Sequence, residues 1–296
     1  MLDNFYYARN INPLGRYEFA EKLGAGAYGI VRRAVNSETN ETVAIKQPSQ
    51  ISGDIFKRFS NEIKFYHQMS DSPFVLKMLD FNDNPFFPFL ATEFCNLGNA
   101  RSRLWELRIN RTRTIALLWQ AASALADAHS RRILHRDIKP DNLLLKTDSQ
   151  NNWILKLGDP GLACFPTHSI LDFGATRTVR GTEFYIAPEL YQKGAIYTAA
   201  ADVFSFGVTA HEMLIGERIL AGSTVNAFGP KLNELLSQMV SSELKTRPQM
   251  RFVKNKLAEI YHNEIKLAQD RRFMGGAILM LGIIGLGSYY ILKEFE

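Results

Sequence analysis

Within eight consecutive residues, His135-Arg136-Asp137-Ile138-Lys139-Pro140-Asp141-Asn142, this chain places a carboxylate, an ammonium and an amide at short fixed spacings. Asp137 could take or orient the proton of a hydroxyl, Lys139 could meet a phosphate, and Asn142 could hold a magnesium ion. A base of this kind works only while phosphates and metal are held beside it, and neighbours on one loop meet without waiting for distant elements. The chemistry these types suit is phosphoryl transfer to a hydroxyl. A lone His-Arg-Asp would say little, whereas the eight-residue string is improbable by chance.

Two further strings precede it. Gly24-x-Gly26-x-x-Gly29-x-Val31 suits either a dinucleotide fingerprint or a hairpin whose amides close over phosphates. The dinucleotide version needs a helix directly after the glycines, but Ile30-Val31-Arg32-Arg33-Ala34-Val35 reads as strand. The segment from Tyr17 to Leu23 alternates in part, so strand–turn–strand is expected. Next, Val43-Ala44-Ile45-Lys46 reads as a strand ending on a cation. Glu62 follows sixteen residues later, inside a helical pattern (Phe56, Phe59, Ile63, Tyr66) spanning Phe56 to Met69. An exposed Lys–Glu pair would contribute little; the order after the glycines is what gives it weight.

Together these strings resemble eukaryotic-type serine/threonine protein kinases, and the likeness runs from Gly24 to Pro248. It implies an α+β, bilobal protein-kinase fold: a small strand-rich lobe over roughly the first 90 residues and a larger helical lobe. It implies ATP and Mg2+ as cofactors, with Leu23, Gly24, Gly26, Gly29, Val31, Ala44, Lys46, Glu62, Thr92, Glu93, Cys95 and Leu144 around the nucleotide. Leu90-Ala91-Thr92-Glu93-Phe94-Cys95 would be the last strand of the small lobe, with Thr92 at the back of the pocket. Asp137 and Lys139 would be catalytic, and lysine in Asp-x-Lys-Pro-x-Asn resembles the serine/threonine class. Arg136 would receive an activating phosphate, expected on Thr178, and Thr182 would bond the catalytic aspartate within the substrate loop. Glu189 would pair with Arg247, and Asp202 would cap the backbone of the catalytic loop.

The metal-binding aspartate is where the chain departs from the family. Asp172-Phe173-Gly174 has the usual letters, yet Asp159-Pro160-Gly161 has the context, because Trp153–Gly158 is a strand pattern running into it. Asp159 lies 22 residues after Asp137 and 30 before Glu189. Metal is therefore assigned to Asn142 and Asp159. Pro160 offers less apolar area than phenylalanine and pushes the preceding residue toward extended geometry. That departure supports an alternative reading, a catalytically silent scaffold at a membrane.

The 296 residues carry a formal net charge of +5 with 46% hydrophobic and 22% charged residues, an ordinary globular composition. Basic residues are scattered, so no nucleic-acid arm is expected. The two cysteines and six histidines show no disulfide or metal spacing. Phe273–Leu292 is a run of twenty uncharged residues, which at ~1.5 Å each would span ~30 Å, the thickness of a bilayer core. Its five glycines suit a membrane helix better than an aqueous one. Arg271 and Arg272 precede it and an acidic tail follows, so the globular part is expected in the cytoplasm, at an endomembrane rather than a mitochondrial one. The expected organisation is an extension (1–16), a kinase domain (17–255), a juxtamembrane linker or helix (256–272), a transmembrane helix (273–292) and a short tail (293–296). A protein substrate is the expected partner; no oligomer is predicted.

Overall fold

The computed structural model describes residues 15–26, 29–51, 53–160 and 182–275, with backbone alone at 54, 182 and 268–275. Asp172, Thr178, nearly all of the 273–292 stretch, and the tail lie outside the described residues. The chain divides into two compact units, one built from residues up to Ser70 with Leu76–Phe94, the other from Asp71–Val75 and from Cys95 onward.

The first unit is a five-stranded antiparallel sheet with one helix. Strands β1 (Tyr17–Gly26), β2 (Gly29–Asn36), β3 (Thr42–Pro48), β4 (Met78–Asn82) and β5 (Phe89–Glu93) take the order β1-β2-β3-β5-β4. Alternation sets the faces. Val43 and Ile45 of β3 are buried with Tyr17, Ala34, Phe89 and Ala91, which leaves Ala44 and Lys46 on the opposite face. Helix α1 (Gly53–Gln68) buries Phe59, Ile63 and Tyr66, three of the four positions its spacing singles out, and leaves the fourth, Phe56, half-buried. Strand β4 begins at Met78, and Val75, three residues earlier, bridges Leu157 in parallel within the second unit.

The second unit is mostly helical. A small sheet of β6 (Gly98–Asn99), β7 (Leu143–Thr147) and β8 (Trp153–Leu157) leads into Asp159. Helices α2 (Leu104–Ile109), α3 (Arg111–Ser130), α4 (Ala199–Ile215), α5 (Pro230–Met239) and α6 (Met250–Gly275) make up the rest, with short 3-10 turns at 100–103, 140–142, 182–185, 188–191 and 244–246. Asn110 caps α3 by accepting the Arg113 N–H at 3.0 Å, and the helix is buried on most sides. Helix α4, equally apolar, stops at Gly216, whose φ of +92° few other residues adopt and whose N–H reaches the Glu212 carbonyl at 2.7 Å.

Residues 256–272 were expected as an amphipathic, charged linker or helix leading to a membrane. They continue α6, which lies along α3. Val253, Leu257, Ala258, Ile260 and Tyr261 are buried, and Arg111 pairs with Glu264 at 2.9 Å. Among the described residues no helix is long and apolar enough to cross a membrane. The apolar stretch on which a span was expected lies beyond Gly275 except for its first three residues.

Candidate active site

In the first unit, the β1–β2 hairpin closes between Gly26 and Gly29, which face one another in register. Cross-strand partners share a face. Gly24, Val31 and Lys46 therefore form one row across the sheet, and Ala44 and Thr92 are partners in another. Leu23 is exposed near the end of β1 and Thr92 is buried on β5. A side chain at Gly24 or Gly26 would meet no neighbour, so a ligand can approach the backbone there; at Gly29 a Cβ would lie 2.4 Å from the Gln47 carbonyl oxygen. Lys46 Nζ donates to both carboxylate oxygens of Glu62, at 2.9 and 2.8 Å, and the two side chains are only 16% and 4% exposed. This pair from strand and helix fixes the ammonium in place. Glu93 is used locally: its carboxylate accepts the Lys77 N–H at 2.9 Å, and its own N–H donates to the Lys77 carbonyl.

In the second unit the catalytic-loop string is held by one carboxylate. Asp202, in the first turn of α4 and fully buried, accepts the backbone N–H groups of His135 and Arg136, both at 2.9 Å. It also accepts the Tyr197 hydroxyl at 2.7 Å and pairs with His129 Nε2 at 3.0 Å. Burial alone would raise its pKa, but the hydrogen bond and charge of His129, with the His135 contacts, hold it below the usual carboxylate value. Asp202 thereby secures a left-handed Arg136 (φ +67°), an uncommon backbone for that residue type. The Arg136 guanidinium lies over the Tyr197 ring, 5.3 Å from its centroid.

Beyond Arg136 the functional groups converge. Lys139 Nζ donates to the two oxygens of Asp137 at 2.9 and 2.8 Å. Asn142 Nδ2 donates to the Asp137 carbonyl at 2.7 Å and to its carboxylate at 2.9 Å. With its amide nitrogen turned to Asp137, Asn142 has its amide oxygen as the end that could accept a cation. His135 is buried, and desolvation lowers its pKa against the pull of Asp202 and Asp137. The neutral ring then donates from Nε2 to the Gly158 carbonyl at 3.1 Å and accepts the Asp137 N–H on Nδ1 at 3.4 Å. Leu144 lies on β7 opposite Asn99, and Cys95 is buried.

Pro160 does not act on Asp159 as its sequence suggests. Proline favours extended geometry in the residue before it, yet Asp159 has φ +53°. The reason lies one residue back. The Gly158 N–H donates to the Asn142 carbonyl at 2.9 Å and the Gly158 carbonyl accepts from His135, so the backbone is fixed before proline can direct it. Aspartate tolerates the left-handed region better than most residues. Pro160 itself is buried, while Asp159 is exposed. Among the described residues no group of three or more His, Cys, Asp or Glu side chains could hold a metal alone. An amide oxygen and a carboxylate fit Mg2+ nonetheless, since that ion takes few protein oxygens and completes its shell with water and phosphate.

Thr182 opens the 3-10 turn 182–185. Glu189 and Arg247 form a two-pronged pair at 2.8 Å for each prong, and Arg247, with no exposed side-chain surface, also donates to the Ser241 and Ala200 carbonyls.

Residues 17–274 match the family model for the protein kinase domain. The chain belongs to that family. Among curated kinases, CBL-interacting serine/threonine-protein kinase 7 of Arabidopsis thaliana is 32% identical over 74% of this chain and 51% of its own length. Inhibitor of nuclear factor kappa-B kinase subunit beta of Bos taurus is 36% identical over 69% of this chain and 28% of its own. Serine/threonine-protein kinase atg1 of Dictyostelium discoideum is 29% identical over 78% of this chain and 34% of its own. The chain thus spans about half the length of the first and about a third or less of the other two.

In this kinase domain the sequence left one polar cluster unread. Arg101, Asp141, Tyr185 and Glu212 meet in the second unit. The one signal was Glu212, a second carboxylate in a helix that is otherwise mostly apolar.

Proposed function

We propose that the chain is a serine/threonine protein kinase that transfers the γ-phosphate of ATP to protein hydroxyls and is tethered to a membrane through residues 273–292. The observation that carries the catalytic reading is the arrangement of Asp137, with Lys139 and Asn142 both on its carboxylate and the backbone of the two residues before it, His135 and Arg136, held by Asp202. In this reading Asp137 orients the attacking hydroxyl and takes its proton. Lys139 moves from Asp137 to the transferring phosphate as the nucleotide arrives. Lys46, held by Glu62, neutralises the other phosphates beneath the glycine hairpin. Asn142 and Asp159 would hold Mg2+, which supplies positive charge against the phosphate oxygens. Catalysis is then positioning and electrostatics rather than covalent chemistry.

The scaffold alternative draws on Pro160 alone, and the left-handed Asp159 beside a buried proline ring weighs against it. Incubation with Mg-ATP beside an Asp137→Asn control tests the choice: phosphate incorporated by the parent and not by the variant is expected, and none in either would favour the scaffold. Support for the tether is the uncharged run itself. The reading puts the kinase domain on the cytoplasmic side of an endomembrane. The full chain should resist carbonate extraction while residues 1–272 are released, and equal behaviour of the two would remove the tether.

A further inference from the structure

The Arg101 cluster joins segments that the catalytic reading treats separately. Arg101, in the 3-10 turn 100–103, donates from Nε and Nη2 to Asp141 at 3.2 and 3.1 Å, from Nη1 to Glu212, and from Nη2 to the Tyr185 hydroxyl. That hydroxyl in turn donates to Glu212, a buried residue of α4. Arg218 Nε lies 3.4 Å from the same carboxylate, with its guanidinium 4.4 Å from the Phe184 ring centroid. Two guanidinium groups thus face two carboxylates. Burial first, and the Glu212 hydrogen bond second, push the Tyr185 pKa up to about 12, so the phenol keeps both its donor and acceptor roles.

The positions of the acceptors give the cluster its significance. Asp141 sits in the 140–142 turn between Lys139 and Asn142, whereas Tyr185 closes the turn that Thr182 opens. One guanidinium fork therefore ties the loop of the base to the segment read as the protein-substrate loop, with Glu212 as a post on a rigid helix. We propose that Arg101 is a positioning residue for the protein substrate. Through Tyr185 and Asp141 it fixes 182–185 relative to 137–142, and so sets how fast a protein hydroxyl, but not water, receives phosphate.

The proposal rests on the kinase reading above. Lysine is no substitute in this role, because a point charge cannot serve three acceptors at fork geometry. The local fold has other supports: the Ser205 hydroxyl holds the Tyr185 carbonyl at 2.7 Å, and Ala187 and Leu190 are packed in the core.

The test uses the full chain with Arg101→Lys, Tyr185→Phe and the double variant, with casein as the acceptor protein. Transfer to casein should fall at least tenfold in each, with nucleotide affinity and casein-free ATP hydrolysis within twofold of the parent. The double variant should lose no more than the worse single, because both remove one tie. Hydrogen exchange should quicken at 183–192 in both singles and stay unchanged at 137–143. Transfer and hydrolysis falling together, or transfer unchanged, would overturn the proposal. Should the parent transfer no phosphate at all, the kinase reading fails and the exchange measurement still decides the tie: quicker exchange at 183–192 upholds it, and unchanged exchange removes it.

Discussion

Lys46 and Glu62 project from a regular strand and a regular helix, whereas Asp137, Lys139 and Asn142 hang from a loop with a left-handed residue at Arg136. In the first case each element satisfies its own backbone, and the ion pair only aims a side chain already in place. In the second, the backbone N–H groups of His135 and Arg136 have no strand or helix partner and rely on the carboxylate of Asp202. Buried backbone donors must be paired somewhere. The two regions should therefore fail differently: loss of Glu62 should mis-aim Lys46, while loss of Asp202 should dissolve the loop.

The largest expected effect on the rate of the folded chain is at the base. Asp137→Asn should lower phosphoryl transfer by about 10²–10⁴-fold, with the urea midpoint nearly unchanged; a comparable loss of stability would mean that the carboxylate is chiefly a clamp for Lys139. Next, Asp202→Ala should cost about 3–5 kcal/mol in equilibrium unfolding and abolish transfer with it. Glu62→Gln should cost less stability, about 1–3 kcal/mol, and lower the rate by about 100-fold through misplacement of Lys46. Equal stability losses in these two would erase the contrast between aimed side chain and held backbone. Pro160→Phe comes fourth: since the ring is buried and Asp159 is already left-handed, the larger side chain should lower activity or leave it unchanged, and a rise would show that proline does restrain the metal site.

The smallest effect concerns pH. His135 has its folded pKa lowered by burial, so below the unfolded value of about 6.5 the unfolded chain binds a proton that the folded one refuses. That contribution is fully present above about pH 6.5 and is lost as pH falls further. Urea unfolding between pH 7.5 and 5.5 should show a shallower decline in His135→Gln than in the parent, and parallel curves would mean that His135 does not carry the dependence.

The parts of the site that could be read from sequence are those whose spacing is local. The 135–142 string needs only its own short loop, and Lys46 with Glu62 needs only a strand followed by a helix. Longer relations were hidden. Nothing near Pro160 announces that Gly158 is fixed by Asn142 and His135, so the local preference of an Asp–Pro step was overridden by contacts from elsewhere in the unit. Arg101 meets partners 40, 84 and 111 residues away, and no spacing rule links them. In α6, Val253, Leu257 and Tyr261, four residues apart, form the face that packs, and that spacing does not name its partner, α3. The small-lobe sheet was legible from its alternation, since one face had to be apolar.

The three glycines of the hairpin look alike as letters, yet they answer to different pressures. An alanine at Gly24 or Gly26 would meet open space, while at Gly29 its methyl would collide with the Gln47 carbonyl on the neighbouring strand. A survey of all single substitutions read by cellular abundance should single out Gly29 and pass over the other two. Read by phosphate transfer, the same survey should register all three. A consensus pattern over this hairpin thus merges one residue that the sheet demands with two that only a bound nucleotide would demand, and the difference between the two surveys would separate them.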